Sequence, residues 1–209
     1  MSPKNPAATI AENKGQKSWL DEQLPDLRTL ARDLRTQAIE ELAPADSHDA
    51  AIEVAAQQLG FDSEKTDVVS ISSPMGDIRI LRSCIHHIVE KRQDARERYV
   101  KVALDTLIGP FEVWKVAYTN DTCRLAFIGA YETRRQMLVI VTLDNGKMLW
   151  NFMQCDAKAL NKHRHGKLLY KRYTFLPTKK RATVTSGPVF ALDIHIHTLK
   201  RGCGGLTRR

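Results

Sequence analysis

The sequence predicts an α+β chain: N-terminal helices, then a helix and a four-stranded antiparallel meander sheet. Apolar residues recur at helical spacing in the first half of the chain. Four short β-branched and aromatic runs then follow one another between residues 111 and 154, joined by links of a few residues. Hydrophobic residues make up 43% of the 209, enough to build a core.

Residues 1–17 are polar, hold two prolines and read as a flexible arm. From Asp26 to Leu42 the apolar residues Leu27, Leu30, Ala31, Leu34, Ala38 and Leu42 predict an amphipathic helix that Pro44 ends. Ser47 caps a second helix running to Leu59, with Gly60 as its stop. Val68–Ser73, the turn 74–77 and Ile78–Leu81 read as strand, turn and strand. The longest helical segment is Ser83–Leu107, whose charged middle, Glu90–Arg98, invites a break into two helices. Gly109-Pro110 ends it.

The meander runs are Phe111–Thr119, Arg124–Tyr131, Met137–Leu143 and Met148–Gln154. Asn145-Gly146 signals a tight hairpin, because both residues tolerate positive φ. Links this short force antiparallel neighbours. Asp156–Leu160 is long enough for one helical turn, and Leu168–Phe175 reads as a further strand. The domain division expected is thus an arm at 1–17, a helical region at 18–76, a main domain at 77–173 and a basic extension at 174–209.

Charge is distributed unevenly. Residues 1–80 carry 8 basic and 14 acidic side chains, a net of −6, whereas residues 81–209 carry 24 and 10, a net of +14. No acid lies between Ala157 and Leu192, where Lys158, Lys162, Arg164, Lys167, Lys171, Arg172, Lys179, Lys180 and Arg181 stand together. A one-sided run of this length points to a polyanionic partner, nucleic acid first.

The four cysteines form no C-x-x-C pair, which excludes a zinc knuckle or thioredoxin motif, and free thiols in a reducing compartment are expected. No apolar run is long enough to span a membrane, and the N-terminus lacks the apolar stretch of a secretory signal. His163-x-His165 and His195-x-His197 have the look of metal pairs, but the surrounding run offers no acidic third ligand, so neither metal nor cofactor is expected. A serine elbow, a P-loop and a dinucleotide glycine fingerprint are absent.

Several residues suit phosphodiester chemistry. His87 and Lys91 share a helix face, pairing an imidazole that moves protons near neutral pH with a cation that holds phosphate; a solvated helix start explains the same residues. Glu112 and Trp114 point to one side of a strand, the first as a base or an orienting carboxylate, the second as a stacking or packing ring. Arg164, preceded by Asn161 and followed by Gly166, has the planar fork that stabilises charge on a phosphorane. An ordinary basic loop is the plain alternative.

The ordered set Leu81-x5-His87-Ile88, Arg98-Tyr99, Thr106-Leu107-x2-Pro110-x-Glu112-Val113-Trp114 and Asn161-x2-Arg164-x-Gly166-x-Leu168-Leu169 resembles the phage-borne branch of the barnase–EndoU–colicin–RelE-like nucleases. That domain accompanies phage head-morphogenesis (minor capsid) proteins. The resemblance covers Asp77 to Tyr170 and makes the main domain at 77–173 a nuclease domain, with helices packed on the sheet and RNA cleaved without metal. Carried over by position, His87, Glu112, Arg164 and Arg98 are the catalytic residues, with Arg92 and Arg96 near enough to replace Arg98 and His86 adjoining His87. Lys91, Trp114, Asn161, Lys167, Lys171 and Arg172 would hold substrate.

The expected reaction is attack by a ribose 2′-hydroxyl on its phosphate. His87 or Glu112 takes the proton, and Arg164 with Lys91 or Arg98 stabilises the dianion. The partners implied are RNA (tRNA included) or packaged DNA, a capsid or portal protein and an immunity protein, in a phage virion or the bacterial host cytoplasm. A second reading is a non-enzymatic head protein that grips nucleic acid or a capsid partner through the basic surface. A sequence-specific regulator fits less well, since the positive charge is not on the helix 26–42.

Overall fold

The computed structural model describes residues 10–63, 65–90, 94–143 and 146–173. The arm's residues 1–9, Lys91 and Arg92, the Asp144-Asn145 turn and the basic extension 174–209, with His195, His197 and Cys203, lie outside them. Helix α1 spans His48–Gln58, where the Ser47 hydroxyl accepts from the Ala50 amide at 3.1 Å and Gly60 closes the end at φ +89°. Strands β1 (Val68–Ile71) and β2 (Ile78–Leu81) form the expected hairpin. The long helical segment breaks in two, α2 (Arg82–Val89) and α3 (Val100–Ile108), with a 3₁₀ turn at Arg96–Tyr99 between them. At the break Ala95 adopts φ 40°, and Arg96 and Glu97 turn inward: Arg96 donates to Asn151 Oδ1 at 2.8 Å, and Glu97 accepts from the Ala45 amide at 3.1 Å.

The meander forms as read: β3 (Glu112–Ala117), β4 (Cys123–Gly129), β5 (Gln136–Thr142) and β6 (Met148–Cys155), each antiparallel to the next. It is not a four-stranded sheet, however. After the short helix α4 (Ala157–Asn161), β7 (Lys167–Lys171) adds antiparallel to β3, and β2 joins β6 in parallel at Arg79 and Met148. The order is β1-β2-β6-β5-β4-β3-β7, so edges that a meander would leave open carry further strands.

Helices α1–α3 pack on one face through Ala51, Ala55, Ile85, Ile88, Val100 and Leu107 against Val113, Phe127, Val139 and Phe152. The other face buries Trp114, Val116, Ala126, Ile128 and Leu138 beneath Leu27 and Leu30. That cover replaces the helix expected over 26–42. The chain makes two 3₁₀ turns, Leu27–Thr29 and Arg32–Leu34, and then runs extended. Other partners take the place of the helical ladder there: the Arg35 side chain donates locally to the Leu27 and Leu30 carbonyls, while Arg172 donates to the Leu34 carbonyl at 3.1 Å and the Thr36 amide to the Ala130 carbonyl at 2.8 Å. Leucines at positions 27, 30 and 34 suit successive 3₁₀ turns as well as they suit an α-helix. Upstream, residues 10–18 also lie on the sheet, with bridges Glu12–Tyr118 and Ser18–His165. We call residues 10–36 the strap.

Gly166 makes the close approach of strap, α4 and β3 possible. It sits at φ +103°, and a Cβ there would stand 2.2 Å from the Lys115 carbonyl oxygen. Gly166→Ala should lower stability by at least about 2 kcal/mol through strain and clash. Ala95→Gly should raise it by about 0.5 kcal/mol, since glycine accepts the left-handed region freely. Urea unfolding of the two variants checks both signs.

Candidate functional site

Glu112 opens β3 and Arg164 follows α4, and the two meet under the strap with both side chains at 0% exposure. Arg164 Nε donates to Glu112 Oε2 at 2.7 Å and its Nη2 to Oε1 at 2.6 Å, a two-pronged pair. The Trp114 indole N–H donates to Oε2 at 2.8 Å, and the Tyr173 hydroxyl donates to Oε1. Arg164 Nη1 donates to Asn161 Oδ1 and to the Pro25 carbonyl, each at 2.8 Å. Asn161 Nδ2 donates to Asp26 Oδ1 at 2.7 Å, and the Trp19 ring lies 5.2 Å from the guanidinium. Four elements thus converge on one carboxylate and one guanidinium.

Glu112, Trp114, Asn161 and Arg164 are therefore brought together. The other expected site residues are not. His87 stands on α2, exposed, with Nδ1 at 3.3 Å from Glu90 and its ring 5.2 Å from that of Trp150 on β6. Three strand spacings separate β6 from β3, roughly 14 Å. Arg98 donates to Glu41 at 2.8 Å and to the Leu42 carbonyl, tying down the link into α1. Arg172 clamps the strap at Thr36 Oγ1 and the Leu34 carbonyl. Lys167 and Lys171 are exposed on the edge strand β7. Lys91 lies outside the described residues.

Sequence reasoning missed Tyr173, Trp19, Pro25 and Asp26. Tyr173 stands two residues past β7, where no motif marks it. Burial, reinforced by the Glu112 charge, pushes its phenol well above the usual range, so it stays a proton donor. Hydrogen bonds from Arg28, then from Asn161, hold Asp26 well below the usual carboxylate range. Burial pushes the Cys155 thiol up to about 12, which rules it out as a nucleophile at neutral pH. Burial also lowers His163, and no group of three or more potential ligands stands ready for a metal among the described residues. Two hollows among the described residues, about 290 Å³ beside Arg134, Arg135, Gln154 and Asp156 and about 280 Å³ beside Asp94, Arg96, Met153 and Gln154, touch neither Glu112 nor Arg164. No helix among the described residues is long and apolar enough to cross a membrane.

The model of the phage-Barnase-EndoU-ColicinE5/D-RelE like nuclease2 family matches residues 55–171. The chain belongs to that family. No curated protein and no solved structure matches it. The matched span of this nuclease begins inside α1 and takes in Glu112, Trp114, Asn161 and Arg164. The strap that covers them lies wholly before it.

Removing one member of a buried pair strands the other charge. Glu112→Gln or Arg164→Met should each cost about 3–5 kcal/mol, and the double variant clearly less than their sum. Chemical denaturation of the three variants measures this. For Asp26, the folded pKa lies below the unfolded value of about 4. Its stabilisation is complete above that value and is lost as pH falls through the folded one. Strap amides should therefore exchange faster at pH 3 than at pH 6 relative to those of β4, and Asp26→Asn should flatten the difference.

Proposed function

We propose that the chain is a metal-independent endoribonuclease and that the structure is its closed form. The observation that carries this reading is the Glu112–Arg164 pair, set among indole, amide and phenol donors inside the family's span. Opposed charges held rigidly in a dry site suit a reaction that moves a proton and builds charge on phosphorus.

In the open form a ribose 2′-hydroxyl attacks the neighbouring phosphorus. Glu112 takes the hydroxyl proton, and the Arg164 fork binds the phosphoryl oxygens as negative charge grows on them. Tyr173 protonates the departing 5′-oxygen and recovers its proton from Glu112. One P–O bond forms and one breaks, leaving a 2′,3′-cyclic phosphate and a free 5′-hydroxyl. DNA lacks the nucleophile and survives.

Closure follows from the donor inventory. With the strap in place, Arg164 spends its N–H groups on Glu112, Asn161 and the Pro25 carbonyl. A phosphate reaches Nη1 only when residues 19–27 lift away from it, and it reaches Nε and Nη2 as the proton taken by Glu112 loosens the pair.

Purified protein in EDTA should cleave single-stranded RNA to cyclic-phosphate ends and leave DNA intact. Leu27→Ala, which loosens the strap at a fully buried leucine, should raise the rate, provided the melting curve shows a folded chain. Tyr173→Phe should lower kcat by about 100-fold. Intact RNA with both wild type and Leu27→Ala would refute the proposal.

A further inference from the structure

The strap covers only part of its sheet face. Beyond it, register sets Arg79 (β2), Met148 (β6), Thr142 (β5) and Arg124 (β4) in one row across four strands, on the strap's side of the sheet. Next to this row the β5–β6 ladder slips: Ile140 pairs with Asn151 and Val141 with Leu149, which leaves Trp150 unpaired in a bulge. Bulges re-aim side chains. Trp150 emerges 41% exposed, whereas Trp114 is fully buried.

Its surroundings set Trp150 apart from a stray apolar side chain. The Arg124 guanidinium lies 5.4 Å from the Trp150 ring and 4.7 Å from the Tyr118 ring. The His87 ring meets Trp150 from α2 at 5.2 Å. Arg79 is exposed at the end of the row, with no ion-pair partner among the described residues. Two neighbouring acids are already engaged: Glu90 with His87, and Glu12 with His165 at 2.9 Å.

We propose that Trp150, flanked by His87 and Arg124, is a stacking platform for an unpaired nucleobase of single-stranded RNA, with Arg79 and Arg124 holding the phosphates on either side. The proposal rests on the RNA-cleaving reading and adds to it a place where substrate is gripped away from the reacting pair. An exposed indole offers a π-face to any base, and two arginines in one row supply charge without demanding a sequence. It also gives His87 a use compatible with its distance from Glu112: a stacking wall rather than a proton carrier.

The test is direct binding by the full chain. A labelled oligouridylate of about ten nucleotides is titrated against wild type, Trp150→Ala, Trp150→Phe, Arg79→Gln and Arg124→Gln, in EDTA with a non-cleavable 2′-O-methyl backbone. Trp150→Ala should weaken binding about tenfold and Trp150→Phe by less than about threefold. Each arginine variant should lower the slope of log affinity against log salt by about one. Equal affinity for wild type and Trp150→Ala would overturn the platform. Loss of binding in Trp150→Phe equal to that in Trp150→Ala would do the same. Cleavage, assayed separately on unmodified RNA, keeps the two proposals apart: an inert chain that binds through Trp150 loses only the nuclease, and an active chain indifferent to Trp150 loses only the platform.

Discussion

A carboxylate and a guanidinium without solvent access constrain everything around them. Each ion alone would cost several kcal/mol to bury, and their attraction offsets this only if the remaining lone pairs and N–H groups find partners. Glu112 and Arg164 meet that condition through four separate stretches of chain: β3 itself through Trp114, α4 through Asn161, the segment after β7 through Tyr173, and the strap through Pro25. The demand for partners explains why the chain returns after α4 to pair β7 with β3. It explains equally why residues far upstream are folded down over the sheet. A buried pair left half-satisfied would be worse than an apolar core.

The strap follows from the same demand. Beside its short internal turns it bonds to the sheet and to Arg172, and its leucines fill the face that the helices leave uncovered. It closes the pair off with the Pro25 carbonyl on Arg164 and the Asp26 carboxylate on Asn161, and such oxygens are what a phosphate would present to the same donors. That likeness gives the closed form its meaning under the proposed function. On that proposal the segment competes for the groups that substrate needs, from outside the part of the chain that the nuclease family shares.

Local structure was legible where it is decided locally. The meander strands announce themselves by β-branched runs between short links, and α1 by a serine cap and a closing glycine. The strap was misread as a helix because its leucine spacing fits two kinds of turn, and only the sheet beneath decides between them. Glu112, Trp114, Asn161 and Arg164 were legible as a set because a family pattern carries them. His87 belongs to the same pattern yet stands roughly three strand spacings away, since linear order does not reveal which side of a sheet edge a helix occupies. Tyr173 left no sign at all: a tyrosine after a strand has many uses, and only the carboxylate at its hydroxyl selects one.

The acid-free run takes on a different sense once its members are separated. Arg164 is neutralised internally by Glu112, whereas Arg172 gives its hydrogen bonds to the strap and keeps an exposed charge, uncompensated among the described residues. Lys158, Lys162, Lys167 and Lys171 remain exposed, around α4 and on the β7 edge. Trp150 on β6 and Arg79 on β2 stand toward the opposite edge, and Arg124 on β4 lies between the two groups. On both proposals, a single strand held at both ends would run against the strap. Under the two proposals, binding energy gathered at the edges is then available to displace the strap from the middle, and the Glu112–Arg164 pair is uncovered only where RNA already lies across it. Such coupling would let a buried pair act as a catalyst without exposing two unpaired charges to water in the resting chain.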